Sequence, residues 1–305
     1  PQRLLATQEM KRGMTWEAEE NGPEAIAHFT RAIDLFPTAE RHVQRGIVYL
    51  GQEDWSAAQA DMEAAIALAP EVGDGYYYRG NIRYSLEDLQ GASEDYTSAL
   101  QREIPNDLRA KAHVNRGNVR ADSGDEQGAI DDYSQAIQYA PHLAAAYLNR
   151  CLSRSNVADH QGAIADCSQA IRLEPNSVLA YQNRGLVRRR LGDTAGAIED
   201  FNIAIRLDPE DADPYYNRGL ARWEVGDEEG AIADYSQAID LDPSHALAHY
   251  DRALARLSHG DEEGAIADLN ASARLCLDAG RMGCYDDARY QLNQIQPETS
   301  LTLPR

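Results

Sequence analysis

An all-α array of eight helical hairpins, closed by one further helix, is the fold class that this sequence predicts. A small residue recurs at Gly13, Gly46, Gly80, Gly117, Cys151, Gly185, Gly219 and Ala253, at intervals close to 34 residues. An alanine stands twelve residues after each, at Ala25, Ala58, Ala92, Ala129, Ala163, Ala197, Ala231 and Ala265. Seven residues further come Ala32, Ala65, Ala99, Ala136, Ala170, Ala204, Ala238 and then Ser272. Several columns repeating at one period mark a solenoid, in which each unit buries its apolar face against its neighbours. This periodicity outranks the length of 305 residues, which could otherwise fill two globular domains.

Within each unit the order is helix, turn, helix, stop. Small residues on both helices let their backbones approach closely, so these columns are core. Gly192-Asp193, Gly226-Asp227 and Gly260-Asp261 read as turns, the glycine ending one helix and the aspartate capping the next. Pro37, Pro70, Pro105, Pro141, Pro175, Pro209 and Pro243 stop the second helices, because the residue before a proline is pushed out of helical geometry. Most joints place the next small residue fifteen after the second alanine, but Ala99 to Gly117 spans eighteen. The three extra residues predict a kink or longer loop near 101–110, dividing repeats one to three (1–104) from repeats four to eight (105–280) of the same solenoid. A longer helix with unaltered stacking is the alternative. Tyr285, Ala288, Leu292 and Ile295 share one face of a capping helix over 281–296, and 297–305 reads as a flexible tail.

Charge supplies an independent check on the hairpins. Arg45 and Asp61, Arg79 and Asp95, Arg116 and Asp132, Arg150 and Asp166, Arg184 and Asp200, Arg218 and Asp234, Arg252 and Asp268 are each sixteen apart. A hairpin turning midway sets such pairs level across its two helices. Seven copies argue for an architectural ion pair and against catalysis. The first repeat pairs Arg12 with His28 instead.

With its aromatic column at Phe29, Tyr96, Tyr133, Phe201 and Tyr235, this grammar resembles the tetratricopeptide repeat (TPR) family over about residues 6–280. The family's usual tryptophan and leucine in the first helix are mostly absent. Segments such as GAIADYSQAI (230–239) and the stretch from Cys284 to Ile295 are similar to bacterial, and in particular cyanobacterial, members. The resemblance implies a right-handed superhelical solenoid whose first helices line a concave groove.

Asn115, Asn149, Asn183 and Asn217 recur at a strict spacing of 34 residues, with Asp251 at the next equivalent. Each carboxamide offers a donor and an acceptor, which suits a peptide backbone of any sequence. The resemblance implies the same role, since this asparagine commonly bonds peptides in the groove of TPR proteins. The alternative is a bond to a neighbouring helix or turn. Tyr216, Trp223 and Tyr250 are expected on the same face as anchors for an apolar or amphipathic segment, and Arg189 with Arg190 as a local positive spot. Family members that bind acidic chaperone tails use a clamp of basic residues and asparagines. Here Asn81, Lys111 and Asn118 fall near suitable places, but Val114 and Leu148 occupy others, and the net charge opposes an acidic tail.

That charge is -21, from 50 acidic and 29 basic residues, of which only Lys11 and Lys111 are lysines. Such a field repels nucleic acid and anionic membranes and attracts basic partners. No apolar run approaches the ~18 residues of a membrane span, so no membrane insertion is expected. The chain begins at Pro1, which leaves a removed export signal open. Cys151 and Cys167 replace a glycine and aromatic pair and read as packing, and Cys276 and Cys284 flank a turn. Reduced thiols in a soluble, cytoplasmic protein are expected, and two disulfides would instead imply export. His245 and His249 lack a third ligand, so no metal is expected, and no cofactor motif or catalytic residue stands out. The sequence therefore predicts a non-enzymatic scaffold or adaptor that binds a basic or amphipathic peptide or partner helix in its groove. Alternatives are a substrate-recruiting array of a larger enzyme system and a self-associating structural module.

Overall fold

The computed structural model describes residues 1–296, so the tail expected at 297–305 lies outside the described residues. Among them are seventeen α-helices and no strand, with one isolated parallel bridge between Val72 and Glu103. The fold is an all-α helical-repeat solenoid.

The chain divides into two compact units, Pro1–Ala158 and the residues from Asp159 onward. The first holds α1 (Gln2–Ala18), α2 (Gly22–Leu35), α3 (Ala39–Gly51), α4 (Trp55–Leu68), α5 (Asp74–Ser85), α6 (Leu89–Leu100), α7 (Asn106–Asp122), α8 (Glu126–Tyr139) and α9 (Ala144–Asn156). The second holds α10 (His160–Leu173), α11 (Val178–Arg190), α12 (Thr194–Leu207), α13 (Ala212–Glu224), α14 (Glu228–Leu241), α15 (Ala246–Ser258), α16 (Glu262–Asp278) and α17 (Met282–Ile295). Within each unit consecutive helices pack against each other, and α17 packs on α16 through Ala288 and Leu292.

The small-residue columns are core. All eight alanines of the first column are fully buried. Six of the hairpins pair a glycine with a large residue: a Cβ on Gly117 would stand 2.6 Å from the Tyr133 ring, and one on Gly185 2.7 Å from Phe201. Where Ala253 replaces the glycine, Leu269 replaces the ring, and both are fully buried.

The turns follow the glycine and aspartate grammar. Gly192, Gly226 and Gly260 adopt left-handed backbone at φ 81°, 79° and 84°. The next residues, Asp193, Asp227 and Asp261, accept the N–H of Gly196, Gly230 and Gly264 at 2.9–3.0 Å. Glu20, Glu53, Glu87 and Ala158 take the same backbone without glycine's freedom.

At the long joint, residues 101–105 fold back on the preceding loop: Gly73 N–H donates to the Glu103 carbonyl at 2.8 Å, and Arg102 Nε to that of Pro70 at 2.7 Å. Beyond it α7 runs for 17 residues where α9 has 13. The added length is thus shared between a closed loop and an extra helical turn, and α5 and α7 still touch.

The arginine and aspartate pairs are more heavily bonded than the spacing predicts. Arg116 Nε and Nη2 donate to the two oxygens of Asp132 at 2.9 and 2.7 Å, and Arg120 Nη1, one turn on, adds a third contact at 2.8 Å. The arrangement recurs with Arg79 and Arg83 on Asp95, Arg184 and Arg188 on Asp200, Arg218 and Arg222 on Asp234, and Arg252 and Arg256 on Asp268. The remaining nitrogen of the first arginine reaches the preceding repeat: Arg116 to Thr97, Arg184 to Ser168, Arg218 to Asn202 and Arg252 to Ser236. Asp61, Asp132, Asp200, Asp234 and Asp268 therefore each anchor an arginine that ties two repeats together. Burial by itself would raise the Asp132 pKa, but the bonds from His113 and Arg116 and the Arg116 and Arg120 charges outweigh it and hold the carboxyl below its usual range. Asp61 and Asp268 are lowered by the same balance.

Two expectations are corrected. Arg12 does not pair with His28; both bond Glu9, Arg12 Nη1 at 2.8 Å and His28 Nδ1 at 2.6 Å, because Glu9 on α1 stands one helical turn before Arg12 and supplies the carboxylate that α2 lacks. The cysteines are not thiols: Cys276 and Cys284 are joined as a disulfide with Cα atoms 5.8 Å apart, and no described cysteine is free. The tight turn from Ala279 to Arg281 brings the end of α16 within bridging range of the start of α17.

Replacing Asp132 with alanine leaves two arginines facing an empty site; because both retain partial contact with water, the expected loss is about 3 kcal/mol, at the low end for a broken buried pair, read by urea denaturation. Gly117→Ala is expected to cost about 1–3 kcal/mol by forcing Tyr133 aside. Since the folded pKa values of Asp61, Asp132 and Asp268 lie below the unfolded value, their stabilisation is complete above the unfolded pKa and is lost as pH falls through the folded ones. Melting temperature should therefore drop steeply below about pH 4, the ordinary aspartate range, and less steeply in Asp132→Ala.

Candidate binding surface

First helices of successive repeats touch one another, α3 with α5, α5 with α7 and α7 with α9 in the first unit, and α11 with α13 and α13 with α15 in the second. They form an inner row in each unit, and every residue expected to contact a partner lies on it.

In the first unit the asparagine column bonds backwards, onto the preceding repeat. Asn115 Nδ2 donates to Asn81 Oδ1 at 2.9 Å and lies 3.4 Å from the Tyr77 hydroxyl. Asn149 Nδ2 donates to Asn118 Oδ1 at 2.8 Å. The same two acceptors also receive the hydroxyls of Tyr96 and Tyr133, at 2.8 and 2.9 Å. Asn81 and Asn118 follow Gly80 and Gly117, so the glycine that admits the ring from the second helix is adjacent to the amide that receives its hydroxyl. Asn115 and Asn149 therefore do not bond each other; Asn118 stands between them.

Beside Asn149 the row opens into a cavity of ≈ 360 Å³. Asn118, Tyr133 and Asn149 line it together with Tyr84, Asp122 and Glu126, and Leu152 borders it with half its surface exposed. Tyr84 donates its hydroxyl to Asp122 Oδ2 at 2.8 Å, and that bond, followed by burial, raises its pKa. Sequence reasoning passed over Asp122 and Glu126, because their partners, Tyr84 and Asn156, lie 38 and 30 residues away in neighbouring repeats.

In the second unit Asn183 and Asn217 are half-buried on α11 and α13. Tyr216 donates its hydroxyl to Asp251 Oδ2 at 2.8 Å, and its ring lies 4.5 Å from that of His245 and 6.0 Å from that of Tyr235. Asp251 occupies the asparagine column, so here too the column bonds the preceding first helix. Burial raises the Asp251 pKa, opposed by the Tyr216 bond and by the electrostatic influence of His245 and Arg189. Arg189 Nη1 pairs with Glu224 at 3.0 Å. Tyr250 packs beside Ala253 and Leu269, and Trp223 is the more exposed aromatic, at 37%. Among the described residues no cluster of three or more histidine, cysteine, aspartate or glutamate side chains has a metal-binding arrangement. No described helix is long and apolar enough to cross a membrane.

Because its folded pKa is raised, the cost of Asp251 to folding grows as pH rises from the unfolded pKa towards the folded one and is complete above it. Asp251→Asn keeps an acceptor for Tyr216 without the charge. It should melt higher than the parent chain at neutral pH, with the gain shrinking as pH falls towards 4, in the ordinary aspartate range; a lower melting temperature at neutral pH would contradict the assignment.

Family models described as tetratricopeptide repeat match residues 43–107, 79–144 and 152–213, and one described as TPR repeat matches 224–260. RNA polymerase II-associated protein 3 of Xenopus tropicalis is 36% identical over 84 residues, 27% of this chain and 13% of that protein. Hsc70-interacting protein 1 of Drosophila melanogaster is 36% identical over 77 residues, 25% of this chain and 20% of that protein. The chain thus matches only a small part of these longer relatives. Among solved structures, YrrB, described as a TPR protein with an unusual peptide-binding site, is similar at TM-score 0.53 and 24% identity, over 61% of this chain and 95% of that one. A tetratricopeptide repeat protein from Parabacteroides merdae aligns at TM-score 0.60 and 20% identity, over 84% and 98%. These likenesses concern the fold. With its paired helices, its small-residue columns and these matches, the chain belongs to the tetratricopeptide repeat family.

Proposed function

We propose that this chain is a non-enzymatic interaction array that holds a segment of a partner protein against the inner row of its first helices. The observation that carries the reading is the cavity beside Asn149, where the row is open and lined by amide, hydroxyl and carboxylate groups with an exposed leucine at its border. Mixed polar and apolar lining of this kind suits a peptide, whose backbone needs both donors and acceptors. Asn149, Asn183 and Asn217 supply amides, and Trp223 supplies an exposed ring. Asn115 contributes by bracing Asn81. Tyr216, Tyr250 and Arg189 shape the wall of the second unit, through Asp251, the Leu269 cluster and Glu224 respectively. The peptide-binding site named for YrrB and the Hsc70 interaction named for the Drosophila relative are in keeping with this class of role. The net charge of -21 favours a basic or amphipathic segment.

A photo-crosslinking residue at Leu152 or Leu220, on the inner row, should capture the partner, whereas one at Gln90 on the second helix α6 should not. Asn149→Ala and Asn183→Ala should each weaken partner binding by about 2- to 10-fold, the worth of one hydrogen bond, with melting temperature retained in Asn183→Ala and slightly lowered in Asn149→Ala, which also loses the bond to Asn118. Capture from Gln90 alone would overturn the reading.

A further inference from the structure

We infer that the cavity beside Asn149 is a subsite for an arginine side chain of the bound segment. The inference rests on the peptide-holding reading and adds the residue type that the first unit selects.

Two carboxylates enter this cavity, and no lysine or arginine lines it. Each carboxylate is held by one neutral donor. Tyr84 bonds one oxygen of Asp122, and Asn156 Nδ2 bonds Glu126 Oε1 at 2.6 Å. Glu126 Oε2 is buried and has no hydrogen-bond partner. A buried carboxylate oxygen without a donor is costly, and a cationic donor relieves it best. Asp132, which is buried, carries Arg116 and Arg120, whereas Asp122, which is exposed, and Glu126, which is partly buried, each meet only a neutral donor. The negative field reaches the cavity floor: after burial, the charges of Glu126 and Asp122 are the main influences raising the Tyr133 pKa.

Shape selects arginine. The planar guanidinium has donors in a fork that can serve two carboxylates at once, and it stacks on aromatic faces. Tyr84 supplies a ring that is 37% exposed, and Ala121 and Leu152 supply apolar surface for the methylene stem. At ≈ 360 Å³ the cavity has room for that side chain.

The test is a titration of the full ¹⁵N-labelled chain with acetyl-Ala-Arg-Ala-amide and with its citrulline counterpart, which keeps the shape and loses the charge. The arginine peptide should shift the side-chain amide signals of Asn118, Asn149 and Asn156 saturably. The citrulline peptide should bind at least about tenfold more weakly, as should the arginine peptide to the double variant Asp122→Asn, Glu126→Gln. Leu152→Trp, which narrows the cavity and leaves its charge intact, should also block the shifts, so the result does not depend on folding of the charge variants. Equal binding of the two peptides would overturn the arginine subsite and leave peptide holding by the inner row standing. Shifts confined to signals outside the cavity would also overturn it. Failure of the broader reading shows separately, in crosslinking from Gln90 and not from Leu152.

Discussion

The buried aspartate that recurs on the second helices from α4 onward is the constraint from which the rest of the array follows. A carboxylate such as Asp132 or Asp234 cannot remain charged inside a protein without compensating donors, and two arginines one helical turn apart on the first helix provide them. Meeting both arginines fixes the level of one helix against the other. The spare nitrogen of the first arginine then fixes the next repeat, because it ends on a hydroxyl or amide of the preceding second helix. Apolar packing alone would permit neighbouring repeats to slide, since alanine columns offer little relief to lock them. The directional bonds set the register, and the small residues let the helices approach closely enough to make them.

The same geometry governs the inner row. First helices also face one another from repeat to repeat, and their polar groups bond across that contact. Asn115, Asn149 and Asp251 all do so, with different chemistry: amides donate to Asn81 and Asn118, and the aspartate accepts from Tyr216. In the first unit these bonds leave a charged, open cavity, whereas in the second the corresponding groups close on themselves, Tyr216 onto Asp251 and Arg189 onto Glu224. One repeat pattern thus yields surfaces of different character, through substitutions at a few positions between the columns.

Much of this was legible before any coordinates. The glycine and ring pairing, its exchange for Ala253 and Leu269, the capping aspartates and the sixteen-residue ion pairs all recur at one period, and recurrence makes a local interaction visible. The second arginine of each clamp recurs too, as Arg83, Arg120, Arg188, Arg222 and Arg256, and could have been found by extending the same comparison by one helical turn. Features that occur once were not readable in this way. Glu9 bridges Arg12 and His28 only in the first repeat, and Asp122 and Glu126 meet their partners across neighbouring repeats.

The sequence by itself determined the fold class, the helix order and the architectural role of the periodic residues, because each repeat unit solves the same packing problem with the same residues. Tertiary structure alone decided which polar groups are spent inside the protein and which remain open to a partner. Asn115 and Asn149 look identical in sequence, yet only Asn149 borders the cavity, and Asp251 shares their column and is closed by Tyr216. The physical reason is that a hydrogen bond depends on distances of a few tenths of an ångström between helices from different repeats, which periodicity cannot specify. The disulfide of Cys276 and Cys284 was decided in the same way, by the turn that brings the two helices together.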